Sequence, residues 1–213
     1  MSITIDIPTL KEDFCSIYSL YIHREGANEF LEWLKTTDFF TAPASSKYHL
    51  AIPGGLLQHS LNVFKRLRQV TPNWVGANYT IETLTLVSLL HDICKVNTYK
   101  EIRRNVKTYD KEKVATAEPN QVKHDATGNY IWESIPAYEI DDQFLFGHGE
   151  KSVYLINQFM KLTDEEAQAI RFHMSSWKHD DISLVGKVYS ANYLAFFLHV
   201  ADEMATYLDE NDD

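Results

Sequence analysis

The stretch from Ile81 to Leu90 constrains this chain most, because it is apolar on nearly every side for about three helical turns. A segment that is hydrophobic all round is typical of a central buried helix, against which the rest of the chain packs. Thr80 is a suitable N-cap, and Glu82 lies in the first turn, where the helix dipole favours a negative charge. The adjacent imidazole and carboxylate of His91-Asp92 follow the apolar run. This placement indicates either two metal ligands that face a cleft or an ordinary pair at a helix end.

Apolar residues recur at helical spacing before this segment as well. They predict helices over Leu10 to Tyr21 and Ala27 to Leu34, which should pack on the core as a pair. A further helix is expected from about Leu56 to Val70 and should end at Pro72. His59 lies beside the apolar stripe of that helix, so its imidazole can border the core.

Helical signals return in the last third of the chain. Thr163 and Glu166 form a capping-box pattern, which predicts a helix that starts there and carries His173 near its far end. A last helix is expected over about Ser190 to Leu208, with Asp202 next to its inward face.

The hydrophobic period changes between Tyr99 and Phe146. Residues 105–109 and 129–140 are rich in β-branched and aromatic side chains, and a polar stretch from Asp110 to Gly128 separates them. The pattern predicts a hairpin-like insertion that leaves the core just after His91-Asp92 and returns just before His148. Its ends should therefore lie near that pair, either as a substrate lid or as a packing flap without substrate contact.

Composition limits the class of protein and its partners. The 213 residues are 45% hydrophobic and lack a long apolar run or a signal-peptide pattern, which favours one soluble, cytoplasmic domain without membrane contact. The net charge of −10 argues against duplex DNA as a partner. We interpret Cys15 and Cys94 as reduced, buried thiols. The acidic residues 209–213 are interpreted as a solvated, frayed end without a function.

The order His59, His91-Asp92 and Asp202 resembles the signature of the HD-domain superfamily of metal-dependent phosphohydrolases. His148 and His173 occupy the positions at which two-metal members carry additional ligands. The longer pattern is similar to the branch of HD-domain exoribonucleases, HD-GYP cyclic-dinucleotide phosphodiesterases and cyclic-nucleotide phosphodiesterases. The chain departs from the HD-GYP pattern at His173-Met174, where that branch has adjacent histidines, so a third metal ion is not implied.

This resemblance implies a mainly α fold, an HD-domain helical bundle with a small β-hairpin-like insertion. It divides a single domain, residues 1–213, into an N-terminal helical extension (1–47), an HD core (48–208) and a β-rich insertion (98–146).

The resemblance also implies two divalent metal ions, drawn from Mn, Fe, Ni, Mg and Zn. His59, His91, Asp92 and Asp202 would hold one, and Asp92, His148 and His173 would hold the other. Asp92 would be a catalytic bridge, since each oxygen of one carboxylate can bind a metal ion. Because no cysteine clusters with these ligands in the sequence, imidazole nitrogen and carboxylate oxygen would be the donors.

Two lysines are candidate contacts for a phosphate. Lys95 follows His91 by four residues and Asp92 by three, so it should share their face if the helix continues that far, and it is our candidate for a catalytic and substrate-binding cation. Lys151 follows His148 by three residues and is a candidate second anion contact. His199 could support Asp202 or be an ordinary core histidine, and His179 could border the pocket or lie in a loop. His23, His49 and His124 have no place in the pattern.

Three functions remain open on the sequence. The first is hydrolysis of a phosphomonoester or phosphodiester by a metal-bridged hydroxide, in a small anionic nucleotide, a cyclic nucleotide or a short single-stranded oligonucleotide. The second is di-iron oxygenase chemistry, because some HD-superfamily enzymes use a very similar ligand set to activate O₂. The third is a non-catalytic ligand-binding module that keeps the scaffold. Fold-level analogy does not choose the substrate among these.

Overall fold

Helices dominate the part of the chain that a computed structural model describes, residues 5–71, 79–175 and 182–210. Two irregular turns belong to the same framework: a 3₁₀ turn (Ile93–Lys95) follows the fourth helix, and a π-helical turn (Ala205–Asp209) follows the ninth. The α-helices, in chain order, are α1 (Ile7–Tyr21), α2 (Ala27–Lys35), α3 (Gly55–Val70), α4 (Ile81–Leu90), α5 (Lys111–Thr116), α6 (His148–Asn157), α7 (Asp164–Phe172), α8 (Ile182–Ala191) and α9 (Tyr193–Met204). The mainly α class is confirmed, whereas the HD-type bundle and its three-part division stay predictions.

Helix α4 is the central buried helix that its composition predicts. Every residue from Leu84 to Leu90 is buried, and the helix packs against α1, α3 and α7. The hydroxyl of Thr80 accepts a hydrogen bond from the amide of Thr83 at 3.1 Å, as expected for an N-cap. Because α4 ends at Leu90, His91 and Asp92 begin a tight turn at the centre of the molecule.

The two helices at the start of the chain complete the core on one side. Phe14 and Tyr18 of α1 and Phe30 and Leu34 of α2 are buried in the same apolar cluster as α4, which confirms the expected pair. The predicted end of α3 at Pro72 lies outside the described residues, and α3 itself ends at Val70. Cys94 is buried as expected, but Cys15 is only half-buried, so that part of the prediction was wrong.

Gly54 and Gly55 determine how α3 enters the core. Gly54 adopts a left-handed conformation with φ of 79°, which side-chain-bearing residues rarely adopt. A Cβ atom on Gly55 would lie 2.1 Å from the carbonyl oxygen of Leu50. The glycine pair therefore lets the first turn of α3 pack directly on the preceding loop, which carries His49.

Helix α7 starts with the predicted capping box. Thr163 accepts from the amide of Glu166 at 3.2 Å, and Glu166 accepts from the amide of Thr163 at 3.0 Å. The same Glu166 is 1% exposed and forms a two-pronged ion pair with Arg24 at 2.8 and 2.9 Å. The capping residue thus also ties α7 to the loop between α1 and α2.

The expected last helix over about Ser190 to Leu208 is present as α9, which starts three residues later, at Tyr193, and ends at Met204. Asn192 has an extended backbone, and its side chain caps α9 by accepting from the amide of Ala195. Asparagine competes for backbone hydrogen bonds in this way, which separates α8 from α9. After Met204 the chain widens into the π-helical turn, so Leu208 lies outside a regular α-helix.

The predicted insertion is a small antiparallel sheet with strand order β1-β3-β2, formed by β1 (Tyr99–Thr108), β2 (Lys123–Asp125) and β3 (Gly128–Ile140). Tyr99 pairs with Ile140 and Thr108 with Ile131, so β1 and β3 form a long two-stranded arm. The short helix α5 lies in the polar stretch, where no helix was expected. The amide of Asp141 donates to the carbonyl of Thr98 at 2.8 Å, which brings the two ends of the insertion together.

Within the described ranges, no helix combines the length and the apolar character that a membrane span requires.

Candidate metal centre

Six side chains from five helical elements meet where α4 ends. Four of them lie at helix ends, and the other two lie within α3 and α9. His59, His91, Asp92, His173 and Asp202 are buried, and His148 is 29% exposed. Their positions are as follows: His59 in α3, His91 and Asp92 after α4, His148 at the first residue of α6, His173 after α7 and Asp202 in α9.

The two carboxylate oxygens of Asp92 face different histidines. Oδ2 lies 3.6 Å from Nε2 of His91 and 3.7 Å from Nε2 of His59. Oδ1 lies 2.7 Å from Nε2 of His148 and 3.3 Å from Nε2 of His173. Asp92 is therefore shared by two histidine pairs, one on each oxygen.

Backbone carbonyl groups at two helix ends orient His91 and His173. Nδ1 of His91 donates to the carbonyl of Ser88 at 2.8 Å, and Nδ1 of His173 donates to the carbonyl of Ile170 at 2.7 Å. Such carbonyls lack a partner within their own helix. Because a carbonyl only accepts, a hydrogen lies on Nδ1 of each ring, and Nε2 is the nitrogen that faces the cluster.

His173 tests whether this cluster fits a metal ion. The ring is 0% exposed, and its Nε2 has no hydrogen-bond partner. A buried polar atom without a partner costs about 1–3 kcal/mol. A divalent cation would coordinate this nitrogen together with the carboxylate that faces it, so the residues fit such an ion.

His59 and Asp202 carry opposite charges when no cation is present. Nε2 of His59 lies 3.2 Å from Oδ1 of Asp202, and its Nδ1 lies 3.1 Å from each carboxylate oxygen of Glu210. Burial disfavours the imidazolium, but these two hydrogen-bonded carboxylates outweigh it and raise the pKa of His59 to about 10. Burial opposes ionisation of Asp202 as well, yet the hydrogen bond from His59 holds its pKa well below the usual range.

The other half of the cluster contains His148 and Cys94. Nδ1 of His148 lies 3.4 Å from the sulfur of Cys94, while its Nε2 faces Asp92. Burial disfavours the charged ring, but Cys94 and Asp92 raise the pKa of His148 to about 10. For His91, burial is the main effect and lowers its pKa to about 3 despite the neighbouring Asp92. The cluster thus combines protonated and neutral rings, and a metal ion would displace protons from the former.

Three overlapping groups of these residues could hold a metal ion, since their donor atoms lie within 4.8 Å of one another. Of these groups, one belongs to the first ligand set that the resemblance implies, one belongs to the second set, and one contains residues of both sets. Imidazole with carboxylate suits Zn, Fe, Ni or Mn. The groups are His59, His91 and Asp92; His91, His173 and Asp202; and Asp92, His148 and His173.

Lys95 reaches the cluster even though α4 does not continue to it. The 3₁₀ turn brings its Nζ to 2.5 Å from Oδ2 of Asp92, and its side chain is 13% exposed. Burial opposes its charge, but Asp92 raises the pKa of Lys95 above its usual value. In turn, Lys95 is the foremost of the cations that outweigh burial and lower the pKa of Asp92.

Lys151 has a different environment from the one expected. It is buried, and its Nζ donates to Asp142 at 2.7 Å and to the hydroxyl of Thr98 at 3.3 Å. The ammonium therefore already has a carboxylate partner at the base of the insertion. Its predicted contact with a substrate anion stays a prediction.

Two groups beside the cluster were missed on the sequence. Glu210 is 4% exposed and hydrogen-bonds His59, so the interpretation of residues 209–213 as a solvated end was wrong for this residue; residues 211–213 lie outside the described part. His49 packs its ring 5.0 Å from that of His59. Burial and the neighbouring His59 lower the pKa of His49 to about 4, which keeps it neutral. No local sequence pattern distinguishes either residue.

Of the remaining histidines that the structure describes, one contacts a residue of the cluster and two have partners elsewhere. Nδ1 of His199 donates to the carbonyl of His173 at 2.7 Å, so it supports the backbone of a cluster residue. His23 bonds the carbonyl of Leu20, and His124 bonds the side chain of Asn129 in the insertion. The prediction for His179 falls on a residue outside the described ranges.

Comparisons of the chain with protein-family models, with curated proteins and with solved structures find no match.

Proposed function

We propose that this protein is a metal-dependent phosphohydrolase that cleaves a phosphoester of a nucleotide, a cyclic nucleotide or a short single-stranded oligonucleotide. The observation that carries the proposal is the division of the Asp92 carboxylate, with His59 and His91 on one oxygen and His148 and His173 on the other. A carboxylate that bridges two metal ions can present one oxygen to each, and the two histidine pairs of this arrangement fit that role.

The proposed ligands form two sets that share Asp92. His59, His91 and Asp202 complete one set, and His148 and His173 complete the other. When bound, two divalent cations lower the pKa of a water molecule toward neutrality and neutralise charge on a phosphoryl group.

The chain itself provides orientation and charge. The carbonyls of Ser88 and Ile170 fix the rings of His91 and His173, so little reorganisation is needed when a cation binds. Nζ of Lys95 is the cation nearest to Asp92. If metal ions neutralise Asp92, that ammonium is released to bind a phosphoryl oxygen of the substrate.

Exposure indicates the side from which a substrate would approach. His148 and Lys95 are the most exposed side chains of the cluster, at 29% and 13%. Lys95 directly precedes the insertion, and the phenol of Tyr99 at the start of β1 is close enough to influence the charge of Lys95. We propose the lid role for the insertion, whose start lies close to Lys95; a packing flap without substrate contact would start at the same place.

The test combines metal analysis with a substrate screen on the purified protein. We expect bound transition metal and Mn²⁺-stimulated release of phosphate, or of a nucleoside monophosphate, from phosphomonoesters, cyclic nucleotides or short oligonucleotides. Lys95→Gln should raise KM for an anionic substrate while metal content stays near that of the wild type.

Two other outcomes would replace the proposal. Oxygen consumption by the iron-loaded protein, without phosphoester cleavage, would identify the oxygenase alternative. Nucleotide binding without any turnover would identify a ligand-binding module.

A further inference from the structure

The turn after α9 brings an acidic residue to the side of His59 that faces away from the cluster. The π-helical turn Ala205–Asp209 ends immediately before Glu210, whose side chain is 1% exposed. Both of its oxygens lie 3.1 Å from Nδ1 of His59. A buried carboxylate in this position is paired directly with an imidazole whose other nitrogen faces Asp202 and Asp92.

A second set of contacts fixes the carboxylate of Glu210. The amide of Asn62 donates to its Oε1 at 2.9 Å, and the amide of Gln58 donates to the oxygen of Asn62 at 2.9 Å. Gln58, His59 and Asn62 all belong to α3, so one helix carries both the imidazole and the groups that orient its partner.

An ion pair holds the same turn one residue earlier. Arg66, also on α3, donates to Asp209 through Nε at 2.7 Å and through a second, shorter bond from its guanidinium. Each side chain of this pair is 20% exposed, whereas Glu210 is almost completely buried. The two neighbouring acidic residues therefore differ in role: Asp209 contacts a surface arginine, and Glu210 contacts the cluster.

We propose that Glu210 is a positioning residue that holds the His59 ring with Nδ1–H outward and Nε2 toward Asp202 and Asp92. A carboxylate that accepts from the remote N–H of a ligating histidine fixes the ring and makes its other nitrogen a stronger donor to a metal ion. The ring orientation does not depend on the proposed hydrolysis. The consequence for metal affinity rests on the proposed function.

Alternative partners for the His59 nitrogen explain why such a residue is needed. Without an acceptor beside Nδ1, rotation of the ring by half a turn would direct Nδ1 toward the carboxylates and Nε2 away from them. The neighbouring His49 is not such an acceptor in the present arrangement, because its Nε2 makes no hydrogen bond and lies 3.9 Å from Oε2 of Glu210. Glu210 therefore selects one orientation of a ring that could adopt two.

The experiment compares Glu210→Met, which has no strong acceptor, with Glu210→Gln, which keeps one carbonyl acceptor of similar shape. Asp209→Asn is the matched control, because it alters the same turn without touching His59. In the metal-free protein, ¹⁵N-histidine NMR should show a slowly exchanging Nδ1–H of His59, assigned by its absence in His59→Gln. We expect the chemical shift of this Nδ1–H to change in Glu210→Met, where the carboxylate acceptor is gone, to change less in Glu210→Gln and to stay the same in Asp209→Asn.

The second readout is Mn²⁺ or Zn²⁺ affinity by calorimetry. Glu210→Met should lose roughly 10- to 100-fold in affinity, and Glu210→Gln should lose less. Retention of both the chemical shift and the affinity in Glu210→Met would overturn the positioning role. A wild-type protein that binds no metal would overturn the proposed function alone, since the NMR comparison would still decide how His59 is held.

Discussion

Asp92→Asn removes one negative charge from the centre of the cluster while the side chain keeps its shape. The wild-type carboxylate is 2% exposed and faces Lys95 and four imidazoles, so its charge is the one that both histidine pairs share. An amide cannot neutralise two cations, so metal binding should be lost. Binding at one of the two sites stabilises the wild type by about 2.7 kcal/mol at a metal concentration of 100 times the Kd of that site. For a chain of this size, that is a rise in Tm of about 5–11 °C, and the variant should show almost none of it.

The assay is thermal unfolding with and without Mn²⁺, together with elemental analysis of each protein after gel filtration. His199→Gln is the control, since glutamine can still donate to the carbonyl of His173 that His199 contacts. The control should keep most of the metal-dependent rise in Tm and most of the turnover. A folded Asp92→Asn protein with the same rise as the wild type, or with wild-type turnover, would refute the role given to this carboxylate.

The remaining predictions concern the insertion and the Glu166 ion pair. Shortening the stretch from Asp110 to Gly128 should spare the helical core and metal content, but lower kcat/KM more for a nucleotide than for a small phosphoester, since only the larger substrate can use contacts with a lid; equal losses would indicate a packing role. Burial opposes ionisation of Glu166, but Arg24 and the capping hydrogen bond lower its pKa. The contribution of the ionised Glu166 to the free energy of unfolding is therefore fully present above the unfolded pKa of about 4.3, and it is lost as the pH falls through the lower folded pKa. In urea unfolding at pH 7, Glu166→Gln should cost about 1–3 kcal/mol, and the difference from the wild type should shrink in acid; a pH-independent difference would contradict this assignment.

Local patterns in the sequence were sufficient for much of the helical framework. The apolar run before His91 predicted the buried α4, and Thr163 with Glu166 predicted the start of α7. The helical pair at the start of the chain followed from the same periodicity. These signals succeed because caps and hydrophobic periods act between residues a few positions apart.

Features that depend on contacts between distant residues were not predicted. Glu210 lies 151 residues from His59, and its acidic neighbours indicate solvent rather than a buried partner. The division of α8 from α9 depends on Asn192, whose amide also donates to the carbonyl of Glu165 in a neighbouring helix. Helix α6 was missed because its few apolar residues give a weak period after Gly147-His148.

For the six candidate ligands, the sequence predicted which residues take part but not how they are arranged. Their identity came from a resemblance in residue order, and the structure brings all six to one cluster. The division of Asp92 between two histidine pairs, and the carbonyl groups that orient His91 and His173, could be seen only in three dimensions. Spacing along the chain carries no information about which carboxylate oxygen a ring faces.

The most direct test of the two-metal proposal is metal stoichiometry, measured by elemental analysis of the active protein and by anomalous scattering from its crystals. We expect two ions per chain, one bound by each oxygen of Asp92, with His148 and His173 on the second ion. A fully active protein with a single ion, and with His148 and His173 turned away from it, would contradict the two-metal site. An active protein without metal would contradict the proposed function itself.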